Sequence, residues 1–200
     1  MNRVFVCCGV LRPELEKVFA ELAKDKGVAE ERIYLEPVLH VNLDRLKQSL
    51  AGALSGAVGE GKRVLAIYGY LCHPEMEALV KGYGALVSTA RNCIEMLLGE
   101  DMARLDAEAR TFYLTPGWLK NWKQIFIEGL GWDSIDARQK FGLYDRILLL
   151  DTGVMPLDEE EILEFFDYTR VPVEIRRFKL QNLRYLVQKM LKEAEFHVDY

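Results

Sequence analysis

The stretch RVFVCCGVLRPELEKVFAELAKDK, residues 3–26, reads as a strand, a turn and a helix in immediate succession. Arg3 to Cys8 is a short apolar run with β-branched and aromatic members, and Gly9 interrupts it. From about Pro13 to Lys26, Leu15, Val18, Phe19 and Leu22 recur on one helical face, with Pro13 tolerated in the first turn and Gly27 as the stop. A strand that feeds a helix through a tight turn is the building block of a parallel sheet.

The same unit recurs along the chain. Arg32 to His40 reads as a second strand whose later half Pro37 marks as edge or loop, and Asn42 caps a helix to about Val58 with Leu43, Leu46, Leu50, Ala53 and Leu54 facing inward. Arg63 to Tyr70 is nearly continuous in apolar residues, as in a strand buried on both faces. Residues 71–84 read as a loop with one helical turn, Ala85 to Ser88 as a short strand, and Arg91 to Leu98 as a helix ended by Gly99. Arg110 to Leu114 is a strand that leads through Thr115-Pro116-Gly117-Trp118 into a helix carrying Leu119, Trp122, Ile125 and Phe126, with a second helix over Asp133 to Phe141. Asp145 to Leu150 is the clearest buried strand, and Asp158 with Glu161 forms a capping box for a helix through Tyr168. Val171 to Phe178 and Gln181 to Glu193 complete the pattern as strand and helix. The alternation predicts an α/β fold, a Rossmann-like three-layer sandwich with a mostly parallel central sheet, in a single domain spanning residues 1–200.

Composition narrows the function. The chain has 200 residues and a net charge of −5, with no basic run interleaved with aromatics, so nucleic acid is not an expected partner. No apolar stretch reaches the roughly 18 to 20 residues that span a bilayer, and the N-terminus enters a strand pattern without a leader segment. A soluble cytoplasmic protein without a membrane partner is expected. Four cysteines in this length are too sparse for a disulfide framework. The loops GxGxxG, GxxxxGK[ST] and GxSxG are absent, which argues against a standard dehydrogenase, kinase or α/β-hydrolase.

Three of the cysteines, Cys8, Cys72 and Cys93, fall where a strand gives way to a turn or helix, and His40 ends the second strand-like run. In a parallel sheet the strands' carboxyl ends share one edge, so these residues are expected to converge on one site with soft and borderline metal ligands. His73 competes with His40 as the fourth ligand, His197 reads as a terminal surface residue, and Cys8 is preferred over Cys7 because neighbours in a strand face opposite sides. Three thiolates and an imidazole suit tetrahedral zinc, and three cysteines also suit an iron–sulfur cluster with one differentiated iron. For any single cysteine the plainer reading is a small buried hydrophobe. Arg91, Trp118 and Asp151 are the other candidates for the same edge, as anion holder, pocket cover and ligand or base. Their plainer roles are strand cap, core aromatic and turn former.

Cys8-Gly9-Val10-Leu11-Arg12-Pro13-Glu14, Leu39-His40, Tyr68-Gly69 with Cys72, Arg91-Asn92-Cys93-Ile94 with Leu97-Leu98-Gly99, and Tyr113-Leu114-Thr115-Pro116-Gly117-Trp118 together resemble the family called domain of unknown function 1638. The family pattern places its cysteines at Cys8, Cys72 and Cys93. It departs at Leu71-Cys72-His73-Pro74, where glycines are usual after the cysteine, and at Asn92, where an acidic residue is usual. The resemblance implies an origin in anaerobic bacteria or methanogenic archaea and a place beside corrinoid methyltransferases. A metal-dependent thiol or methyl transferase acting on a small molecule or a corrinoid-protein partner is the expected function, with Arg91 and Trp118 positioning the substrate. The rival is a noncatalytic accessory protein for a corrinoid protein or cofactor, its cysteines structural. A homodimer is compatible with either. A concave pocket at the strand ends would favour the enzyme.

Overall fold

The computed structural model describes residues 2–26 and 30–196, so Gly27 and His197 lie outside the described residues. Among the described residues, seven parallel strands alternate with helices in the Rossmann-like α/β manner expected, and they are divided between two sheets. The first sheet has the order β2-β1-β3-β4, from β1 (Arg3–Cys8), β2 (Glu31–Leu35), β3 (Arg63–Ile67) and β4 (Leu86–Val87). The second has the order β5-β6-β7, from β5 (Thr111–Leu114), β6 (Arg146–Asp151) and β7 (Val173–Arg177). Only Leu65↔Leu86 and Ala66↔Val87 pair β3 with β4, so the first sheet terminates there and the chain starts a second.

The helices are α1 (Arg12–Lys26), α2 (Leu43–Gly59), α3 (Met76–Gly82), α4 (Cys93–Leu98), α5 (Asp101–Glu108), α6 (Pro116–Lys120), α7 (Ser134–Phe141), α8 (Glu159–Thr169) and α9 (Gln181–Phe196). Alternation along β1 sends Val4, Val6 and Cys8 to a core shared with α2 and α3, and Phe5 and Cys7 to the opposite side. That opposite core also receives Leu148 and Leu150 of β6, with apolar faces of α1, α4 and α9, so one core draws on both sheets. Ile147 and Leu149 face a third core of aromatic character with Phe126, Phe141 and Phe165. Burying each such Leu or Phe stabilises by about 2 kcal/mol.

Several local expectations are corrected. The second strand ends at Leu35, and Pro37–Val41 is a 3-10 helix, because Pro37 cannot donate to a ladder but fits a first helical turn. His40 therefore sits in that turn instead of ending a strand. The third strand stops at Ile67, since Gly69 is drawn against the Arg91-Asn92 backbone. Leu43, expected inside, is 45% exposed. Thr115-Pro116-Gly117-Trp118 opens α6 directly, with the Thr115 side chain accepting from the Trp118 N–H, and Lys123–Gly129 winds as a π-helix. The fully formed α3 and the helix α5 are additions to the sequence reading.

Candidate functional site

Three close backbone approaches assemble the site. At Gly9 a Cβ would overlap the Leu35 carbonyl, so the exit of β1, carrying Cys8, lies against the exit of β2 and the turn that holds His40. At Gly69 a Cβ would overlap the Arg91 and Asn92 backbone. There Tyr70 N–H donates to Ala90 O and Leu71 N–H to Arg91 O, both at 3.0 Å, which draws the Cys72 loop against the start of α4. At Gly117 a Cβ would overlap the Val10 carbonyl, and this brings Trp118 beside the turn that follows Cys8.

The result is a cavity of about 470 Å³ between the exits of the first sheet and β5, the edge strand of the second. His40, Cys72, Cys93 and Trp118 line it. Cys8 lies just behind, 4% exposed, with its Sγ 3.7 Å from His40 Nδ1. The His40 ring is edge-on to Trp118 at 5.7 Å and stacked at 6.5 Å on Tyr68. Trp118 packs in turn on Phe126 of the π-helix at 5.8 Å. Cys93 opens α4, and Asn92 caps that helix by accepting from Glu95 N–H at 3.0 Å.

The sulfurs are electrostatically linked. Burial pushes the Cys8 thiol up to about 12, opposed by the Val10 and Leu11 N–H groups. Burial raises Cys93 further, the neighbouring Cys8 and Cys72 add to the rise, and the Trp118 side chain and the Cys93 N–H pull the other way. Cys93 thus feels both of the other cysteines, although the three come from separate parts of the sequence. Cys7 lies in the opposite core, and its thiol is held well above the ordinary value, first by burial.

The remaining candidates divide. His73 is 5% exposed, its Nδ1 accepts from Glu75 N–H at 3.0 Å, and it does not line the cavity, so His40 is the histidine beside the sulfurs. Arg91 is exposed and pairs with Glu95 at 3.2 Å, and it is not part of the cavity wall. Asp151 ends β6 in the other sheet, where its Oδ1 accepts from Gly153 N–H at 2.8 Å as a turn former does. Trp118 does line the cavity. The wall also holds Met102, Phe112, Tyr113 and Tyr144, none of which sequence reasoning nominated, because they come from α5 and from the entry side of the second sheet. Among the described residues, no group of three or more His, Cys, Asp or Glu side chains is arranged as it stands to hold a metal ion. A larger groove of about 720 Å³ beside α6 and α8 carries Asp158, Glu159 and Glu161. Asp158 there already caps α8 by accepting from Glu160 and Glu161 N–H, and among the described residues no cysteine or histidine lines that groove.

Comparison with known proteins adds the family. No curated protein and no solved structure matches the chain. A family model described as protein of unknown function (DUF1638) matches residues 34–187, a span that begins after Cys8 and includes His40, Cys72, Cys93 and Trp118. That match covers well over half of the sequence, and the chain belongs to the domain of unknown function 1638 family.

Proposed function

We propose that Cys8, Cys72 and Cys93, with His40, bind a metal centre, zinc or an iron–sulfur cluster, and that the cavity in front of it receives a small molecule for thiol or methyl-group transfer. One observation carries this reading: Cys72, Cys93 and His40, from separate segments, line one cavity, and Cys8 lies just behind it with its Sγ 3.7 Å from His40 Nδ1. The donor chemistry fits. Burial keeps the Cys8 and Cys93 thiols neutral, and a cation beside them reverses that balance and makes the thiolates favourable. Binding would require the half-buried Cys72 and His40 side chains to close toward Cys8 and Cys93.

When bound, such a metal supplies a Lewis acid that lowers the pKa of a coordinated thiol. Trp118 would cover the reacting centre, and burial would exclude water from it. The concave shape at the strand ends supports an enzyme over an accessory module. The corrinoid-linked one-carbon setting in an anaerobe belongs to the same proposal, through the family resemblance.

Elemental analysis and a visible spectrum of protein purified without oxygen test the reading, with Cys8→Ser, Cys72→Ser and Cys93→Ser alongside. The expected result is about one zinc, or iron with sulfide and a brown chromophore, lost in all three variants while the far-UV circular dichroism is retained. Metal-free, colourless and folded wild-type protein would overturn it.

A further inference from the structure

The wall of the cavity has a chemical character that goes beyond its sulfur donors. Among the described residues, no Asp, Glu, Lys or Arg lines it. Several of its polar groups are already committed elsewhere. The Tyr113 hydroxyl donates to Asp106 at 2.6 Å, Thr111 Oγ1 donates to the Ala109 carbonyl at 3.0 Å and accepts from Arg146 Nε at 3.0 Å, and Asn92 Oδ1 caps α4. What these residues present to the cavity is therefore mostly rings, methyl groups and sulfur. Leu43, Leu71 and Tyr144, which line the same space, are 45%, 64% and 37% exposed, so its apolar surface continues to solvent.

We propose that this cavity selects an uncharged ligand with an aromatic or similarly flat apolar body, held among Trp118, Phe112 and Tyr144, and carrying a soft donor atom toward Cys72 and Cys93. The inference deepens the metal-site reading and rests on it for the role of the donor atom. Flat apolar ligands fit because Phe112 and Tyr144 stand edge to face at 5.4 Å in the wall, and Tyr144, 37% exposed, offers ring surface to a third ring. Anions are selected against because the described residues of the wall include no Lys or Arg to replace the water they would lose. At about 470 Å³ the space is that of a small-molecule pocket.

Isothermal titration of the protein as purified without oxygen, with three probes, tests the proposal. Benzyl mercaptan carries ring and thiol, ethylbenzene carries the ring alone, and mercaptoacetate carries the thiol with a carboxylate. Benzyl mercaptan is expected to bind at least about tenfold more tightly than mercaptoacetate. Leu71→Lys, at a position exposed enough to leave the fold intact, is expected to narrow that ratio by weakening the first and strengthening the second. Mercaptoacetate binding as tightly as benzyl mercaptan, or no binding of either aromatic probe, overturns the inference. The two readings fail separately. Equal binding of benzyl mercaptan and ethylbenzene to metal-free protein sinks the metal site and keeps the aromatic pocket, whereas a metal-loaded protein that prefers mercaptoacetate does the reverse.

Discussion

Arg146 and Cys93 are both buried groups of high chemical potential, and their surroundings are built on opposite plans. Arg146 opens β6 with its side chain only 7% exposed, and it donates to Glu108 and Glu174 at 3.0 Å, to Thr111 Oγ1 at 3.0 Å and to the Leu105 carbonyl at 3.2 Å. Its charge is fully answered by α5 and the neighbouring strands. Cys93 has no such charge partner: burial first of all, and then Cys8 and Cys72, make its ionisation harder. A satisfied network fixes structure, while buried thiols without a charge partner are what the proposed metal site would use. The two meet at Thr111, which serves the arginine and lines the cavity.

Arg146→Met should cost the most stability, because it strands the Leu105 carbonyl and leaves Glu108 and Glu174 without their buried partner. A loss of about 3 kcal/mol is expected from urea unfolding. Metal content per folded molecule should not change. A variant that folds but arrives without metal would break the division between the two regions, since the network would then support the site as well as the sheet.

Gly69→Ala should do less to stability and more to the site. The added Cβ overlaps the Arg91 and Asn92 backbone, so the Cys72 loop must move away from α4, at a cost of about 2 kcal/mol. Metal and benzyl mercaptan binding should both fall sharply. Gly56→Ala is the control: it lies within α2, its Cβ would meet nothing, and about 0.5–1 kcal/mol of added stability is expected with the site unaffected. Retained metal in Gly69→Ala would show that the loop and the helix need not stay zipped for the ligands to meet.

These contrasts mark what could be read in advance. Strand existence was legible because RVFVCC, RVLAI and RILLLD are apolar runs bounded by breakers, and parallel topology then obliges their exits to share an edge. That is why Cys8, Cys72 and Cys93 could be gathered without any spacing motif. His40 was placed at the correct edge through the wrong element, because Pro37 ends the ladder and starts a turn. The aromatic wall was not legible. Phe112, Tyr113 and Tyr144 reach the cavity from β5 and from the segment before β6, in the second sheet, and that packing of one sheet's strand against the other's exits is long-range and encoded by no local pattern. Helix α5 has few apolar residues, Met102, Ala103, Leu105 and Ala107 among charges, and its one fully buried anchor is Leu105. Arg91 and Asp151 looked available for chemistry because their partners, Glu95 and the Gly153 amide, are matters of local geometry.

A pH-dependent effect belongs to a group that joins the two regions. Glu14, in the first turn of α1 after the Cys8 exit, is fully buried, and its Oε1 accepts from the Thr152 hydroxyl at 3.0 Å beyond the end of β6. Its Oε2 has no hydrogen-bond partner among the described residues. Burial raises its pKa above the ordinary 4.5, with its own N–H and Thr152 opposing more weakly. The sign follows from proton counting. Between the ordinary and the raised value the native state holds a proton that the unfolded chain has released, so stability falls as pH rises through that window and levels off above it. Glu14→Gln carries no ionisable group and keeps an acceptor for Thr152. Its stability relative to wild type should therefore climb with pH from about the ordinary carboxylate pKa upward, by at most about 1.4 kcal/mol per pH unit. Urea midpoints of both proteins across that range decide the matter. A constant difference would mean that the carboxylate is ionised in the folded protein, and the link between the sheets would then be a charged one, closer in kind to Arg146 than to the thiols.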